Sequence, residues 1–317
     1  MWPQLLLLLE RKRWMPVATD QPHGPLLAEY LKGEQLARGR LARPTTGQAQ
    51  LERLPLRCWL SGTGTPAVVD GRYGPSTVLS IGEDLVMVDT GNGCAYQLFR
   101  LGRRPEEVTH VLITHNHVDH NADLGFLILA PWIHRTQEKP PTVIGPPGTL
   151  EYVNRIFAAH DYDIRARLPH GYDPEGLSVP VIEVDDGLTL NFSGWQVSAV
   201  KVEHSPVEDA FGYVFRTAAH AVAISGDTRP SDSLIAAAQG VDVLIHEALF
   251  PGYGIPDYHT SVHDVGRVAK AANAALLVLT HLIPGHLPEE KWRDIVQRSF
   301  QGDLIVGTDL LQVCDLS

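Results

Sequence analysis

Three imidazoles and a carboxylate fall between residues 115 and 120, in the stretch Thr114-His115-Asn116-His117-Val118-Asp119-His120. Neutral imidazole and carboxylate together suit zinc or a similar divalent ion. A His-x-His pair projects two imidazoles toward one ion from an extended or turning backbone. The Asp-His pair after it is placed to serve a second ion. Asp119 alone would be ordinary at a helix N-terminus, where carboxylates meet the positive end of the dipole. Three histidines at this spacing ask for a metal.

The elements that must carry this motif are legible in the hydrophobic pattern. The run 108–113 is short, apolar and β-branched, so it reads as a buried strand that delivers the histidines at its end. Loops at strand ends are where α/β architectures place chemistry, because the sheet holds them rigidly. Upstream, a strand over 56–60 runs into Ser61-Gly62-Thr63-Gly64-Thr65-Pro66. That loop lacks the continuation of a phosphate cradle and reads as a tight turn, with Gly62 and Gly64 supplying backbone freedom. Strands over 77–81 and 84–88 are joined by the turn Gly82-Glu83 and leave Asp89 at a strand end, where a turn-forming aspartate is expected.

Helices are expected over 94–102, 124–133 and 148–159, with a strand over 142–144. The segment 160–180, rich in Asp, Arg, Pro and Gly, reads as loop. Strands over 181–184, 188–192 and 196–203 then lead to His204. Further strands over 211–216 and 221–225 precede Gly226-Asp227-Thr228, and a helix over 231–239 opens on a serine cap. A buried strand over 241–245 leads to His246-Glu247. A helix over 262–272, a strand over 276–280 ending at His281, a helix over 289–300 and a strand over 304–306 complete the chain. Strands alternating with helices, with ligand-type residues at several strand ends, predict an α/β fold with a two-sheet core flanked by helices. Residues 1–50 lack clean periodicity and read as an N-terminal extension with a helix over 26–36; residues 51–317 read as one catalytic domain.

The histidine motif, taken with the order of the segments around it, resembles the metallo-β-lactamase superfamily. The residues carrying the resemblance are Ser61 to Pro66, Val88-Asp89-Thr90-Gly91, His115 to His120, Glu203-His204-Ser205-Pro206, Ser225-Gly226-Asp227-Thr228, His246-Glu247-Ala248, His259-Thr260-Ser261 and Thr280-His281-Leu282. Within the superfamily the order is similar to the ribonuclease Z and arylsulfatase-like branch. The run Asp119-His120-Asn121-Ala122-Asp123, leading into Leu127-Ile128-Leu129-Ala130-Pro131-Trp132, leans toward the arylsulfatase-like members.

The resemblance implies an αββα sandwich of two mixed sheets and a dinuclear zinc centre, with iron or manganese as alternatives for the same ligands. His115, His117 and His204 would hold one ion; Asp119, His120 and His281 would hold the other; Asp227 would bridge them. Asp89 would support the centre from behind its ligands. Asp119 would also orient the water, His259 would stabilise or protonate the leaving group, and Glu247 would orient His259. Two cations lower the pKa of a shared water and stabilise charge on the attacking and leaving oxygens. The activity implied is hydrolysis of a small ester, a sulfate ester or a phosphodiester, by attack of a metal-bridging hydroxide. A ribonuclease Z-type cut of precursor tRNA is the alternative, and lactone or β-lactam opening a further one. Ribonuclease Z can carry a long arm near 160–180 that grips tRNA; here the segment is short and mixed in charge. His246, His263 and His286 are expected to be structural, and Trp132, Tyr253 and Tyr258 are candidates for an apolar pocket wall.

Composition sets the remaining bounds. The 317 residues are 44% hydrophobic and 20% charged, enough for a large core. A formal charge of −11 argues against a phosphate-backbone partner, although a pair of divalent ions adds positive charge at the site itself. Cys58, Cys94 and Cys314 are far apart in sequence and form no Cys-x-x-Cys, which argues against a disulfide scaffold and fits a reducing compartment. The leucine run 5–9 is too short to span a membrane and lacks the flanks of a signal peptide. The expected protein is therefore cytoplasmic with no membrane partner, export being known among arylsulfatase-like relatives. Dimers are common in the resembled branch, so a homodimer is compatible.

Overall fold

The computed structural model describes residues 38–47, 50–135, 139–250, 252 and 258–317. The expected helix over 26–36, the leucine run 5–9 and Tyr253 lie outside those residues.

Period-two alternation builds the first sheet. In β2 (Leu56–Gly62), Leu56, Cys58 and Leu60 face the inter-sheet core, while Trp59 packs on the opposite face. β3 (Ser76–Ile81) and β4 (Asp84–Val88) obey the same rule: Leu79, Ile81, Val86 and Val88 point inward, and Val78, Leu85 and Met87 outward. β5 (His110–Leu112), β6 (Thr142–Gly145) and β7 (Ser178–Glu183) extend the sheet in parallel. β1 (Arg38–Leu41) and β15 (Leu311–Leu316) close its two edges, so that eight strands run in the order β1-β7-β6-β5-β4-β3-β2-β15. Neither edge strand is evident from the sequence pattern, and β1 falls within the stretch read as an extension.

The second sheet has seven strands in the order β14-β13-β12-β11-β10-β9-β8. They are β8 (Thr189–Asn191), β9 (Gln196–Lys201), β10 (Phe211–Arg216), β11 (Ala221–Ile224), β12 (Val243–Leu249), β13 (Leu276–Ile283) and β14 (Asp303–Val306). Each sheet mixes parallel and antiparallel pairs. Trp195, Phe211, Tyr213 and Phe215 fill the space between the sheets, each at most 2% exposed. Helices cover both outer faces. α1 (Cys94–Arg100), α3 (Leu124–Ile133) and α4 (Thr149–Ala159) pack on the first sheet. α7 (Val262–Ala271) and α8 (Glu289–Val296) pack on the second. The expected two-sheet sandwich flanked by helices is what forms.

Two expectations need correction. The segment 160–180 is not loop: it holds the helix α5 (Asp161–Arg167) and the start of β7. The i,i+4 pairs Arg165–Asp161 and Arg167–Asp163 support that helix. β12 continues through His246 and Glu247 to Leu249, and β13 through His281 to Ile283, rather than stopping before them.

One contact ties the sheets together where the motif begins. The buried Tyr213 hydroxyl of β10 donates to the Ile113 carbonyl at 2.8 Å, and the Phe211 amide donates to the Thr114 carbonyl at 2.9 Å. A buried hydroxyl must find such a partner. The pairing anchors the end of β5 against the other sheet, immediately before His115.

Candidate metal centre

The candidate ligands follow the C-terminal ends of strands, except His281, which lies inside β13 two residues before its end. β4 ends at Val88, just before Asp89, and β5 leads into the histidine motif, whose Asp119 and His120 lie in the short helix α2 (Val118–Asn121). From the second sheet, β9 leads to His204, β11 to Asp227, and β13 carries His281. The site therefore sits where the ends of both sheets meet.

Local backbone choices aim these side chains. Asp89 and His281 adopt left-handed conformations, φ 60° and 44°, which non-glycine residues rarely hold. β12 and β13 pair Glu247 with Thr280 and then Ala248 with Leu282, so His281 is the extra residue of a bulge. A bulge re-aims a side chain next to a site. Gly226 has φ 60°, and a Cβ there would lie 2.7 Å from the Phe211 carbonyl oxygen and 3.0 Å from Thr114 Cβ. Only glycine lets the β11 turn press against the motif strand and bring Asp227 to it. Gly62 and Gly64 likewise allow the 72–74 backbone to approach, Gly62 as the last residue of β2 and not in the expected turn.

The distances sort the ligands into two groups. His117 Nδ1 lies 2.9 Å from His115 Nε2 and 3.4 Å from His204 Nε2. Asp119 Oδ2 lies 3.5 Å from His120 Nε2 and 3.4 Å from His281 Nε2. Asp227 Oδ2 reaches both groups: 4.0 Å from His115 Nε2, 3.9 Å from His204 Nε2, 3.5 Å from His120 Nε2 and 3.4 Å from His281 Nε2. Bonds of about 2.0–2.2 Å to one tetrahedral ion place its ligand atoms roughly 3.3–3.5 Å apart. All seven sequence-predicted ligands thus converge, in the grouping expected of two ions sharing one carboxylate.

The electrostatics fit cations. Asp89, Asp119, Asp227 and Glu247 are all buried, and their ion-pair partners among the described residues are imidazoles, with no Lys or Arg. Buried carboxylates without compensation cost several kcal/mol each, of the order ~3–5. Asp227 Oδ1 and His120 Nε2 are also buried without a hydrogen-bond partner among the described residues. Burial and the neighbouring imidazoles hold His115 well below its ordinary pKa, and burial lowers His117 and His204, so these rings are neutral lone-pair donors. Burial opposes ionisation of Asp227, but His281, His120 and His115 outweigh it and hold the carboxylate well below its usual range. Asp119 is lowered despite its burial, chiefly by the His281 hydrogen bond and His120. At His120, Asp227 and Asp89 overcome burial and raise the pKa, so the carboxylates hold a positive charge at that point, as a proton or as a cation.

Behind the ligands, Asp89 accepts from the Thr114 amide at 2.8 Å and from Thr114 Oγ1 at 3.0 Å. His204 Nδ1 faces the Tyr258 carbonyl oxygen at 3.2 Å. Such partners fix the ring that a metal needs. His259 Nδ1 lies 3.0 Å from Glu247 Oε1, which also accepts from the Thr228 and Thr260 amides at 3.1 and 3.0 Å. Burial alone would lower His259, but the Glu247 hydrogen bond and charge and the charge of Asp227 raise it. Thr228 and Thr260 were not foreseen, because backbone amides carry no mark in a sequence.

Of the remaining candidates, Tyr258 belongs to the site, its ring 5.1 Å from His204 and 4.8 Å from His259. Trp132 does not. It lines a cavity of about 960 Å³ with Glu106, Arg135 and Tyr172, beside the N-terminal ends of β5, β6 and β7, away from the ligands. His246 is buried in β12 with Nδ1 2.8 Å from the Glu247 carbonyl oxygen, while His263 and His286 are exposed outside the ligand groups. His117 and Val118 are exposed and mark the mouth of the site. Among the described residues, no helix is long and apolar enough to cross a membrane.

The chain matches the Beta-lactamase superfamily domain over residues 85–282. Ribonuclease Z of Mycobacterium bovis (strain BCG / Pasteur 1173P2) is 33% identical over 275 residues, covering 81% of this chain and 98% of that protein. Among solved structures, the metallo-beta-lactamase fold protein YhfI from Bacillus subtilis superposes with a TM-score of 0.66 at 21% identity, over 81% of this chain and 98% of that one. The short form of human tRNase Z does so with a TM-score of 0.63 at 17% identity, over 81% and 98%. The fold, the buried carboxylates grouped with imidazoles and the sequence relatives lead to one assignment: the chain belongs to the metallo-β-lactamase superfamily and is a metal-dependent hydrolase acting on ester bonds.

Proposed function

We propose that this chain is a ribonuclease Z-type phosphodiesterase that removes the 3′ trailer of precursor tRNA. His115, His117 and His204 would hold one zinc, Asp119, His120 and His281 a second, and Asp227 would bridge them. When bound, the pair supplies a water of lowered pKa and positive charge for the phosphate oxygens. Asp119 and Asp227 orient that water as acceptors. His259, held protonated by Glu247, gives its proton to the departing oxygen.

The observation that carries this reading within the site is the His259–Glu247 pair. Cleaving the phosphodiester on the trailer side expels a ribose 3′-oxygen, an alkoxide that leaves poorly unless protonated. A positioned acid speeds such a departure by roughly 10²–10⁴-fold. An aryl sulfate expels a phenolate-type oxygen that needs far less help, so a histidine paired with a buried carboxylate is better matched to the alkoxide. The 33% identity to ribonuclease Z over nearly the whole of that protein supports the same choice.

A second reading, hydrolysis of a small aryl sulfate or phosphodiester, is favoured by the net charge of −11 and by the folding of the segment 160–180 into α5 and β7 instead of a projecting arm. The two separate in one experiment. Zinc-loaded protein is given a precursor tRNA with a 3′ trailer and, in parallel, chromogenic aryl sulfates and aryl phosphodiesters, with Asp227→Asn as the control. Release of the trailer, leaving a 3′-hydroxyl on the tRNA, supports the proposal. Turnover of aryl sulfate with the tRNA left intact favours the small-ester reading.

A further inference from the structure

Cys58 and Cys314 stand 256 residues apart in the chain, yet they are direct partners across the antiparallel pair β2–β15. Both side chains pack against the inter-sheet core, so both thiols project to the same face. Directly opposed residues of an antiparallel pair have Cα atoms about 4.5–5.5 Å apart. A disulfide accepts Cα separations of about 4.4–6.8 Å. The facing pair therefore lies within the span of a disulfide, beside a register irregularity between Gln312 and Cys314. Cys94, the third cysteine, is buried at the start of α1 near Asp123, in the core on the other face of the sheet.

The two thiols are also unequal in a useful way. Cys58 is fully buried, whereas Cys314 is partly exposed on β15, an edge strand paired on one side only. Edge strands fray more readily than central ones and admit reagents. Burial raises the Cys58 thiol well above its ordinary pKa, and the proximity of the Cys58 thiol lowers that of Cys314. Cys314 is therefore the thiol that ionises and meets solvent; Cys58 waits beneath it.

We propose that Cys58 and Cys314 form a reversible cross-strand disulfide when the protein meets a low-molecular-weight disulfide such as oxidised glutathione. The Cys314 thiolate attacks one sulfur of the reagent, releasing one glutathione thiolate and leaving a mixed disulfide on Cys314. Cys58 gives up its proton to water and attacks the Cys314 sulfur, which closes the bridge and releases the second glutathione. Two protein thiols are oxidised and one external disulfide is reduced to two thiols. The step after the first attack is the slow one, because the Cys58 thiolate forms only as β15 opens. The bridge pins the C-terminal strand to β2, whose continuation carries Thr63; Asp309, just before β15, accepts from the Thr63 amide at 2.9 Å. Closure thus clamps the loop that begins at Ser61 to the end of the chain.

The full chain is incubated under native conditions with oxidised glutathione, quenched by alkylation and examined by intact mass and non-reducing peptide mapping. The expected product has lost two hydrogens, joins the peptides of Cys58 and Cys314, leaves Cys94 alkylated and returns to the starting mass with reductant. Its Tm rises by at least roughly 3 °C, since a bridge closing so long a loop restricts the unfolded chain. Cys314→Ser abolishes both product and shift, and its folding is checked by an unchanged Tm before oxidation. A stable mixed disulfide on Cys314, a dimer joined through Cys314, or two thiols that stay free after prolonged exposure would each overturn the proposal.

Discussion

Asp89 Oδ2 lies 2.8 Å from His120 Nδ1. The carboxylate fixes which nitrogen of His120 carries the proton and so turns Nε2 toward Asp119 and Asp227. Asp89 sits at φ 60°, a conformation asparagine tolerates, so Asp89→Asn removes the charge without forcing the backbone. The substitution is expected to weaken metal affinity by roughly 10–100-fold. Titration against a chromophoric chelator measures it directly. Unchanged affinity would mean that Asp89 only shapes the turn.

His259 is expected to matter in proportion to the difficulty of the leaving group. In His259→Ala, kcat on RNA or an alkyl phosphodiester should fall by roughly 10²–10⁴-fold, while an activated aryl phosphodiester loses much less. Glu247→Gln should give a weaker version of the same pattern, since Glu247 holds His259 protonated. Rates across a series of leaving groups check this. A uniform loss on every substrate would argue that His259 positions substrate and does not donate a proton.

Why the ligands were legible and their supports were not has a physical explanation. The motif at His115 to His120 is compact, so side-chain type and spacing alone show it. His204, Asp227 and His281 could be placed only because each comes after a strand whose apolar pattern is plain. Their meeting depends on strand order across two sheets, which hydrophobic periodicity does not encode. The edge strand Leu311–Leu316 carries a register irregularity between Gln312 and Cys314 that interrupts its alternation. α5 was hidden by its polarity: only Ile164 of its residues is buried, and the Asp161/Arg165 and Asp163/Arg167 spacings are its real signal. The cysteines teach the same lesson. Sequence distance separated Cys58 from Cys314, and sheet topology made them neighbours.

Metal removal should cost stability as well as activity. Stripping the centre leaves Asp89, Asp119, Asp227 and Glu247 buried with imidazoles as their ion-pair partners among the described residues and no Lys or Arg. An ion present at about 100 times its Kd stabilises the folded state by about 2.7 kcal/mol, which for a domain of this size shifts Tm by roughly 4 °C. Thermal melts with and without a chelator, repeated after adding back zinc, iron or manganese, measure the drop and rank the metals. Asp227→Asn should show a much smaller chelator effect. A wild-type melt indifferent to chelator would sink the dinuclear centre.

His246 gives the acid side of the stability curve a separate handle. It is fully buried in β12, with Nε2 lacking a hydrogen-bond partner among the described residues, and burial lowers its pKa from 6.5 to about 4. The unfolded chain therefore takes up a proton near pH 6.5 that the folded chain refuses until about pH 4. Wherever the unfolded state binds more protons, stability rises with pH. The penalty is absent above the unfolded pKa, begins as pH falls through it, and levels off below the folded pKa. It amounts to about 3 kcal/mol in full, at about 1.4 kcal/mol per proton per pH unit. His246→Leu keeps the volume roughly constant and removes the titrating group. Between pH 6 and pH 4, as a rough window, its unfolding free energy should fall less steeply than that of the parent by about one proton's worth. Denaturant titrations at a series of pH values give both slopes. Parallel slopes would show that His246 accepts its proton in the folded protein as readily as in the unfolded one.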